Sequence, residues 1–274
     1  FSYEFNPNLD GKIYKTVTGQ INLPLTSETP GSEIQKHPVV LMFRGYIDQE
    51  TYQTGDGTRN ASEYFAKEGY VTIAPDFLGY GSSDKEVENI FEARFQTYTT
   101  ALSILKYLET NSELKLPTLR SLGIGGENWK LEIDNLFLWG HSNGGQIALT
   151  ILETTQGTYP TTLWAPVSKP FPYSILYYTD ESEDRGKLIR SELAEFEINY
   201  DVEKYSLINY LAKINAPLQI HQGTSDEAVP KSWSDSLTET LEEEGKDITY
   251  YVYPSTDHNM HPDWNGVIER DIQF

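Results

Sequence analysis

Leu136-Phe-Leu-Trp-Gly-His-Ser-Asn-Gly-Gly145 decides how this chain of 274 residues is read. A short apolar run enters Gly140-His-Ser-Asn-Gly144, and a helical pattern follows at once, with Ile147, Ala148, Ile151 and Leu152 on one face. An apolar run that ends in Gly-x-Ser-x-Gly and opens onto a helix has the pattern of a nucleophile elbow, a sharp turn that lifts a serine hydroxyl above a sheet. So tight a turn leaves no room for side chains two residues before and after the serine, and a strained backbone there favours residues without a Cβ. The pentad alone is a common match. It becomes informative only if the rest of the chain supplies an acid, a histidine and an oxyanion hole in order.

Further apolar runs of strand length are Pro38–Phe43, Tyr70–Ala74, Thr161–Ala165, Pro217–Ile220 and Ile248–Tyr253. Continuous rather than alternating runs are expected of strands covered on both faces. Between them lie helical stretches: Ala61–Glu68 stopped by Gly69, Val87–Thr110 with Phe91, Phe95, Tyr98, Leu102 and Leu105 on one face, and Trp233, Leu237 and Leu241 before Gly245. Strands alternating with helices predict an α/β fold, a mostly parallel central sheet flanked by helices. Ahead of them, Ile13–Val17 and Gln20–Leu23 read as two half-buried antiparallel strands, with a turn at Pro30–Glu33. Residues Asn111 to Ile133, with Gly123-Ile-Gly-Gly126 inside, read as an irregular insertion. The whole chain is expected to form one domain, with a small cap or lid insertion over about residues 168–212.

In an open α/β sheet, ligands collect beyond the carboxyl ends of the strands. The reactive residues just after strands are Arg44-Gly-Tyr46, Asp76, Ser142, Asp226 and His258. A serine hydroxyl needs a base within hydrogen-bond reach, and an imidazole can both take the proton and return it to a leaving group. The imidazole in turn needs a carboxylate to hold its tautomer and stabilise its charged form. Ser142, Asp226 and His258 stand in the order serine, acid, histidine that this chemistry takes on α/β-hydrolase sheets.

With Trp139-Gly-His-Ser-Asn-Gly-Gly145, Gly223-Thr-Ser-Asp-Glu-Ala-Val-Pro230 and Tyr253-Pro-Ser-Thr-Asp-His258 in view, the chain resembles the α/β-hydrolases of the prolyl-oligopeptidase and dienelactone-hydrolase branch. Asp76-Phe-Leu-Gly-Tyr-Gly-Ser82 is similar to the loop this branch carries after its fourth strand. The likeness runs from about Pro38 to the C-terminus and is poorest in the Asn111 and Ser168 insertions. It implies Asp226 as the acid. For the oxyanion hole, one backbone N–H is expected from Asn143, at a helix start, and by the resemblance the other comes from Tyr46. The family usually carries a histidine where this chain has Arg44.

Rival readings attach to several residues. His261 is an alternative base and Asp76 a rival acid, whose other task is to bind backbone N–H groups of its own turn. Arg44 is expected to pair with Asp48 or Asp76, and His37 to lie at the surface. His141 and His221 border the site as structural or lining groups, and the acidic run Asp180–Asp184 reads as a solvated loop rather than a calcium loop. Tyr46, His141, Trp164, Tyr173 and Tyr177 are candidates to line the substrate pocket. Phe171, Tyr173, Tyr177 and Tyr178 could equally be the cap's own small core.

A net charge of −20 argues against nucleic acid, whose phosphates demand basic surface, and against an anionic membrane. No apolar run is long enough to span a bilayer. Without cysteine there is no disulfide framework, thiolate metal site or cysteine nucleophile, and neither cofactor nor metal is expected. Two methionines against nineteen tyrosines lean toward an exported bacterial protein, with a cytoplasmic one as the alternative. The expectation is a serine hydrolase that cleaves a small carboxylic ester, aryl esters included, through an acyl-enzyme. A peptidase acting on short peptides is the alternative, and a pure binding protein is a third class that an intact Ser142, Asp226 and His258 set disfavours.

Overall fold

Apolar runs flanked by helices become neighbouring strands of one sheet. The computed structural model describes residues 1–24, 36–115, 128–179 and 182–274. The turn expected at Pro30–Glu33, the stretch Gly123–Gly126 and Asp180 at the head of the acidic run lie outside the described residues. In chain order the strands are β1 (Ser2–Phe5), β2 (Lys15–Asn22), β3 (Lys36–Phe43), β4 (Val71–Pro75), β5 (Glu113–Lys115), β6 (Asn128–His141), β7 (Thr161–Trp164), β8 (Leu218–Gly223) and β9 (Ile248–Tyr253). Their order across the sheet is β1-β2-β4-β3-β6-β7-β8-β9, with β5 paired to β6. From β4 to β9 all neighbours are parallel, while β1, β2 and β5 join antiparallel.

Alternation along the central strands splits the interior into two cores, because successive side chains point to opposite faces. Val39, Leu41 and Phe43 pack with Leu136 and Leu138 beneath α2 (Ile90–Thr110) and α3 (Asn143–Thr155). Val40 and Met42 pack with Trp139 on the other face, against α1 (Arg59–Lys67) and α7 (Trp264–Gln273). Each such fully buried aliphatic or aromatic side chain stabilises the fold by about 1.5–3 kcal/mol before entropy is counted. Among the described residues, no helix is long and apolar enough to cross a membrane.

The first two expected strands are one: β2 runs unbroken through both segments and is framed by β1 and β4. Part of the Asn111–Ile133 insertion is also regular, because it contains β5 and the first half of β6, whose pairing with β3 shifts register between Pro38 and Val39. Gly69 (φ 99°) follows the end of α1, as a C-terminal glycine in the left-handed region should. The helix α6 (Lys231–Glu243) holds Trp233, Leu237 and Leu241 inward. The C-terminal α7 was not anticipated from the sequence.

Residues 168–212 carry α4 (Tyr173–Leu176), α5 (Lys187–Phe196) and three short 3-10 turns, Val202–Tyr205, Leu207–Asn209 and Leu211–Lys213. A third, small core made of Phe91, Phe171 and Phe196 joins α2 to this segment. Glu192 of α5 accepts from the N–H of Ile90 (2.7 Å), and Asn89 caps α2 by accepting from Phe91 and Glu92 (3.0 and 3.2 Å). A carboxylate and a cap at that helix start each stabilise by roughly 0.5–1 kcal/mol.

Candidate active site

Ser142 follows the end of β6 and serves as the N-cap of α3 at φ 56°, ψ −119°. A non-glycine residue in so sparse a region costs on the order of 1–3 kcal/mol and persists only when its surroundings over-determine it. Three backbone hydrogen bonds do so. The Ser142 N–H donates to Trp164 O at 2.8 Å, and its carbonyl accepts from Gly145 and Val167, both at 3.0 Å. The strain sits on the serine, not on the glycines around it, which keep φ outside the left-handed region. The glycines serve close approach: a Cβ on Gly144 would stand 1.9 Å from Phe43 O, and one on Gly140 would stand 2.5 Å from Gly144 O.

His258 and Asp226 meet across the loops that follow β9 and β8. His258 Nδ1 lies 2.8 Å from Asp226 Oδ2, with the carboxylate fully buried and the imidazole about one-fifth exposed. An Nδ1–H held this way leaves the Nε2 lone pair free to act as a base. Asp226 Oδ1 accepts from the N–H groups of Ala228 and Val229 (2.9 and 2.8 Å), and Oδ2 also accepts from Gln222 Nε2 (3.0 Å). Burial pushes the carboxyl pKa up, but the bond and charge of His258, the Val229 N–H and the Gln222 amide outweigh it and hold Asp226 below the usual carboxylate value. His141 supports the other side. Its Nε2–H donates to the His258 carbonyl at 2.9 Å, and the two rings lie 4.6 Å apart. Burial first, and the nearby His258 second, lower the His141 pKa to about 4, so the ring is neutral. Ser142 Oγ and His258 Nε2 make no hydrogen bond among the described residues; such contacts are often loose before substrate arrives.

The loop after β3 reaches the same place. A Cβ on Gly45 would stand 3.0 Å from Ser142 Cβ and 3.5 Å from its Oγ, so the backbone entering Tyr46 packs directly on the serine. The N–H groups of Tyr46 and Asn143 have no hydrogen-bond partner among the described residues. Arg44 does not form the expected ion pair. It is buried, its Nη1 donates to Gly45 O (2.9 Å) and its Nη2 to the backbone carbonyl of Asp76 (3.0 Å), with Tyr80 and Tyr52 across its faces. The Asp76 carboxylate binds hydroxyls instead of its own turn's N–H groups, accepting from Thr18 (2.5 Å), Tyr52 (2.6 Å) and Thr54 (2.8 Å).

The five lining candidates divide. His141 and Trp164 share a cavity of about 340 Å³ with Asp56, Asn60, His261 and Trp264. Within it Trp164 is tied down, its indole N–H donating to the buried Asp271 at 2.9 Å. Tyr46 stands exposed, while Tyr173 and Tyr177, partly exposed on α4 and its end, pack against Trp233 at 6.4 and 4.8 Å between rings. Phe171 belongs to the small third core, as expected of an aromatic that packs the 168–212 segment. His37 is buried rather than superficial, with Nδ1 3.0 Å from Gly69 O. His221 is wholly buried against Tyr253 and Asp271, and His261 is exposed beside Asp257. Sequence reasoning missed Gln222. The available signal was a polar side chain inside the fully buried strand β8, which must have a partner.

The sequence profile of the prolyl oligopeptidase family matches residues 127–271. Dipeptidyl peptidase family member 6 of Caenorhabditis elegans is 24% identical over 136 residues, which is 47% of this chain but only 18% of that protein's length. Among solved structures, Est1E of Butyrivibrio proteoclasticus with ferulic acid bound superimposes with a TM-score of 0.62 at 15% identity, covering 99% of this chain and 97% of that one. Pyrococcus horikoshii acylaminoacyl peptidase superimposes with a TM-score of 0.63 at 13% identity over 98% of this chain and 39% of its own.

Proposed function

The chain belongs to the prolyl oligopeptidase family of α/β-hydrolases, and from that premise we propose that it is a serine hydrolase that cleaves carboxylic esters. Ser142 attacks the carbonyl, His258 takes the hydroxyl proton and returns it to the leaving alcohol, and Asp226 orients the imidazole and stabilises its charge. The tetrahedral oxyanion is held by the N–H groups of Tyr46 and Asn143, and water then releases the acyl group with His258 as base. The observation that carries the reading is the committed state of His258. Nδ1 is bound to a buried carboxylate, and among the described residues neither Nε2 nor the Ser142 hydroxyl has a hydrogen-bond partner.

On this reading the whole chain is one catalytic domain and residues 168–212 are its cap. What favours an ester, an aryl ester among them, is Tyr46, an exposed aromatic that follows the glycine packed on Ser142. Family membership and the curated dipeptidyl peptidase relative speak for a second reading, a peptidase on short peptides.

A fluorophosphonate probe should label the wild type and fail on Ser142→Ala; labelling that survives the substitution refutes the mechanism. Parallel assays on p-nitrophenyl esters of graded chain length and on aminoacyl-nitroanilides should favour the esters. Faster turnover of the anilides would replace the first reading by the second.

A further inference from the structure

Gly45 brings its backbone close to Ser142, where a Cβ would stand 3.0 Å from the serine Cβ, a tight contact. The lack of a Cβ leaves the Gly45–Tyr46 peptide unit with little of its own to fix its orientation. That matters because a trans peptide is planar, so the Gly45 C=O and the Tyr46 N–H point in opposite directions. If the unit turns over, a carbonyl replaces the N–H where an oxyanion would form.

Arg44 addresses this weakness. Its Nη1 donates to Gly45 O at 2.9 Å, which fixes one end of the peptide plane and so the direction of the other. The guanidinium is itself immobilised. Nη2 is held by Asp76 O at 3.0 Å, and the ring centroids of Tyr80 and Tyr52 lie 3.9 and 4.6 Å from its central carbon. The cage extends outward. Tyr52 donates to the Asp76 carboxylate, and burial first, with that hydrogen bond second, raises its pKa and keeps it a donor. Tyr80 donates to Ile47 O at 3.1 Å, so the loop is tied at both Gly45 and Ile47. No carboxylate neutralises Arg44 among the described residues, in a chain of net charge −20; its partners are carbonyls and aromatic faces. A planar fork can bond two carbonyls and stack at once, which an ammonium cannot.

We propose that Arg44 is a positioning residue that locks the Gly45–Tyr46 peptide with the Tyr46 N–H on the Ser142 side, so that the oxyanion hole stands formed before substrate binds. The proposal rests on the serine-hydrolase reading. A turned-over peptide would lose a charge-assisted bond and set an N–H against the guanidinium, which favours the held orientation by roughly ten- to a hundredfold.

The test compares wild type, Arg44→Met and Arg44→Lys on the p-nitrophenyl ester the wild type cleaves best, with rates normalised to active sites titrated by fluorophosphonate. Arg44→Met should lose about ten- to a hundredfold in kcat with KM within about twofold, since an oxyanion donor acts only in the transition state. Binding of an aryl trifluoromethyl ketone, which forms an alkoxide in the hole, should weaken by the same factor. Arg44→Lys should recover only part of the loss. A merely structural role would lower the number of titratable sites and leave kcat per site unchanged, which would overturn the proposal. If neither variant folds, a crystal structure of the phosphonylated wild type decides. The phosphonyl oxygen should accept from Tyr46 N–H with Arg44 still on Gly45 O, and a Gly45 carbonyl facing that oxygen refutes the assignment. A wild type that turns over neither esters nor anilides overturns both readings, whereas an active wild type with an indifferent Arg44 variant overturns this one alone.

Discussion

Glu153 offers a stability prediction whose sign and size follow from its surroundings. The residue is buried in the last turn of α3, and its Oε1 has no hydrogen-bond partner among the described residues. Burial raises its pKa from 4.5 to about 9, with Lys213 pulling weakly the other way, so the folded protein holds Glu153 neutral at ordinary pH. A neutral carboxyl also suits the negative end of a helix dipole. Between those two pKa values the unfolded chain has released the proton that the folded chain keeps, so stability falls as pH rises, by about 1.4 kcal/mol per unit. The loss ends near pH 9, where the folded carboxyl ionises as well. Glu153→Gln keeps the shape and removes the proton. Urea unfolding followed by tryptophan fluorescence should show the variant's advantage growing by about 4 kcal/mol between about pH 5.5 and about pH 8.5. Parallel pH dependences in the two proteins would mean that Glu153 is ionised in the fold, and would refute the reasoning.

Two further outcomes follow from the site. Asp226→Asn keeps the size of the side chain but removes the acceptor that sets the His258 tautomer; it should lower kcat by about 10³–10⁴ while substrate binding persists, measured by steady-state ester kinetics. His141→Phe removes the donor to the His258 carbonyl and should lower kcat by about tenfold, consistent with a shifted base. The same change should also blunt acid unfolding, because His141 is held neutral down to about pH 4. Wild-type stability is therefore fully present above the unfolded value near 6.5 and is lost as pH falls from there toward 4, and a denaturation series across that window checks it.

The fold was legible wherever one strand was covered on both faces. Pro38–Phe43 and Leu136–Trp139 are continuous apolar runs because helices lie above and below them, and that environment writes itself into the sequence. β1 escaped because it pairs at the margin of the sheet, and the first half of β6 because Asn128-Trp-Lys-Leu-Glu-Ile-Asp-Asn mixes polar with apolar residues instead of forming a continuous apolar run. α7 escaped because Trp264-Asn-Gly-Val carries a glycine inside its first turn, which reads as loop. At the site, residue types at strand ends pointed to Ser142, Asp226 and His258, since those positions follow from topology. Partnerships across the fold were not legible. An arginine and an aspartate near one another suggest an ion pair, yet Arg44 takes the backbone carbonyl of Asp76 while the Asp76 carboxylate takes three hydroxyls. Which atom a side chain meets depends on distances that local spacing does not encode. Gln222 was missed for the same reason, since its partners Asp226 and Ser234 are set by the packing of α6 on β8.

The strand that precedes His258 lies at the rim of the sheet, with β8 as its one neighbour among the described residues. Margins detach before centres when a sheet opens, because fewer contacts have to break. The imidazole can therefore be carried away from the elbow while β3, β6 and both cores are still intact. If His258 is the base, loss of activity on warming should come before loss of core structure, and the two are separable by following ester turnover and tryptophan fluorescence in one heating series.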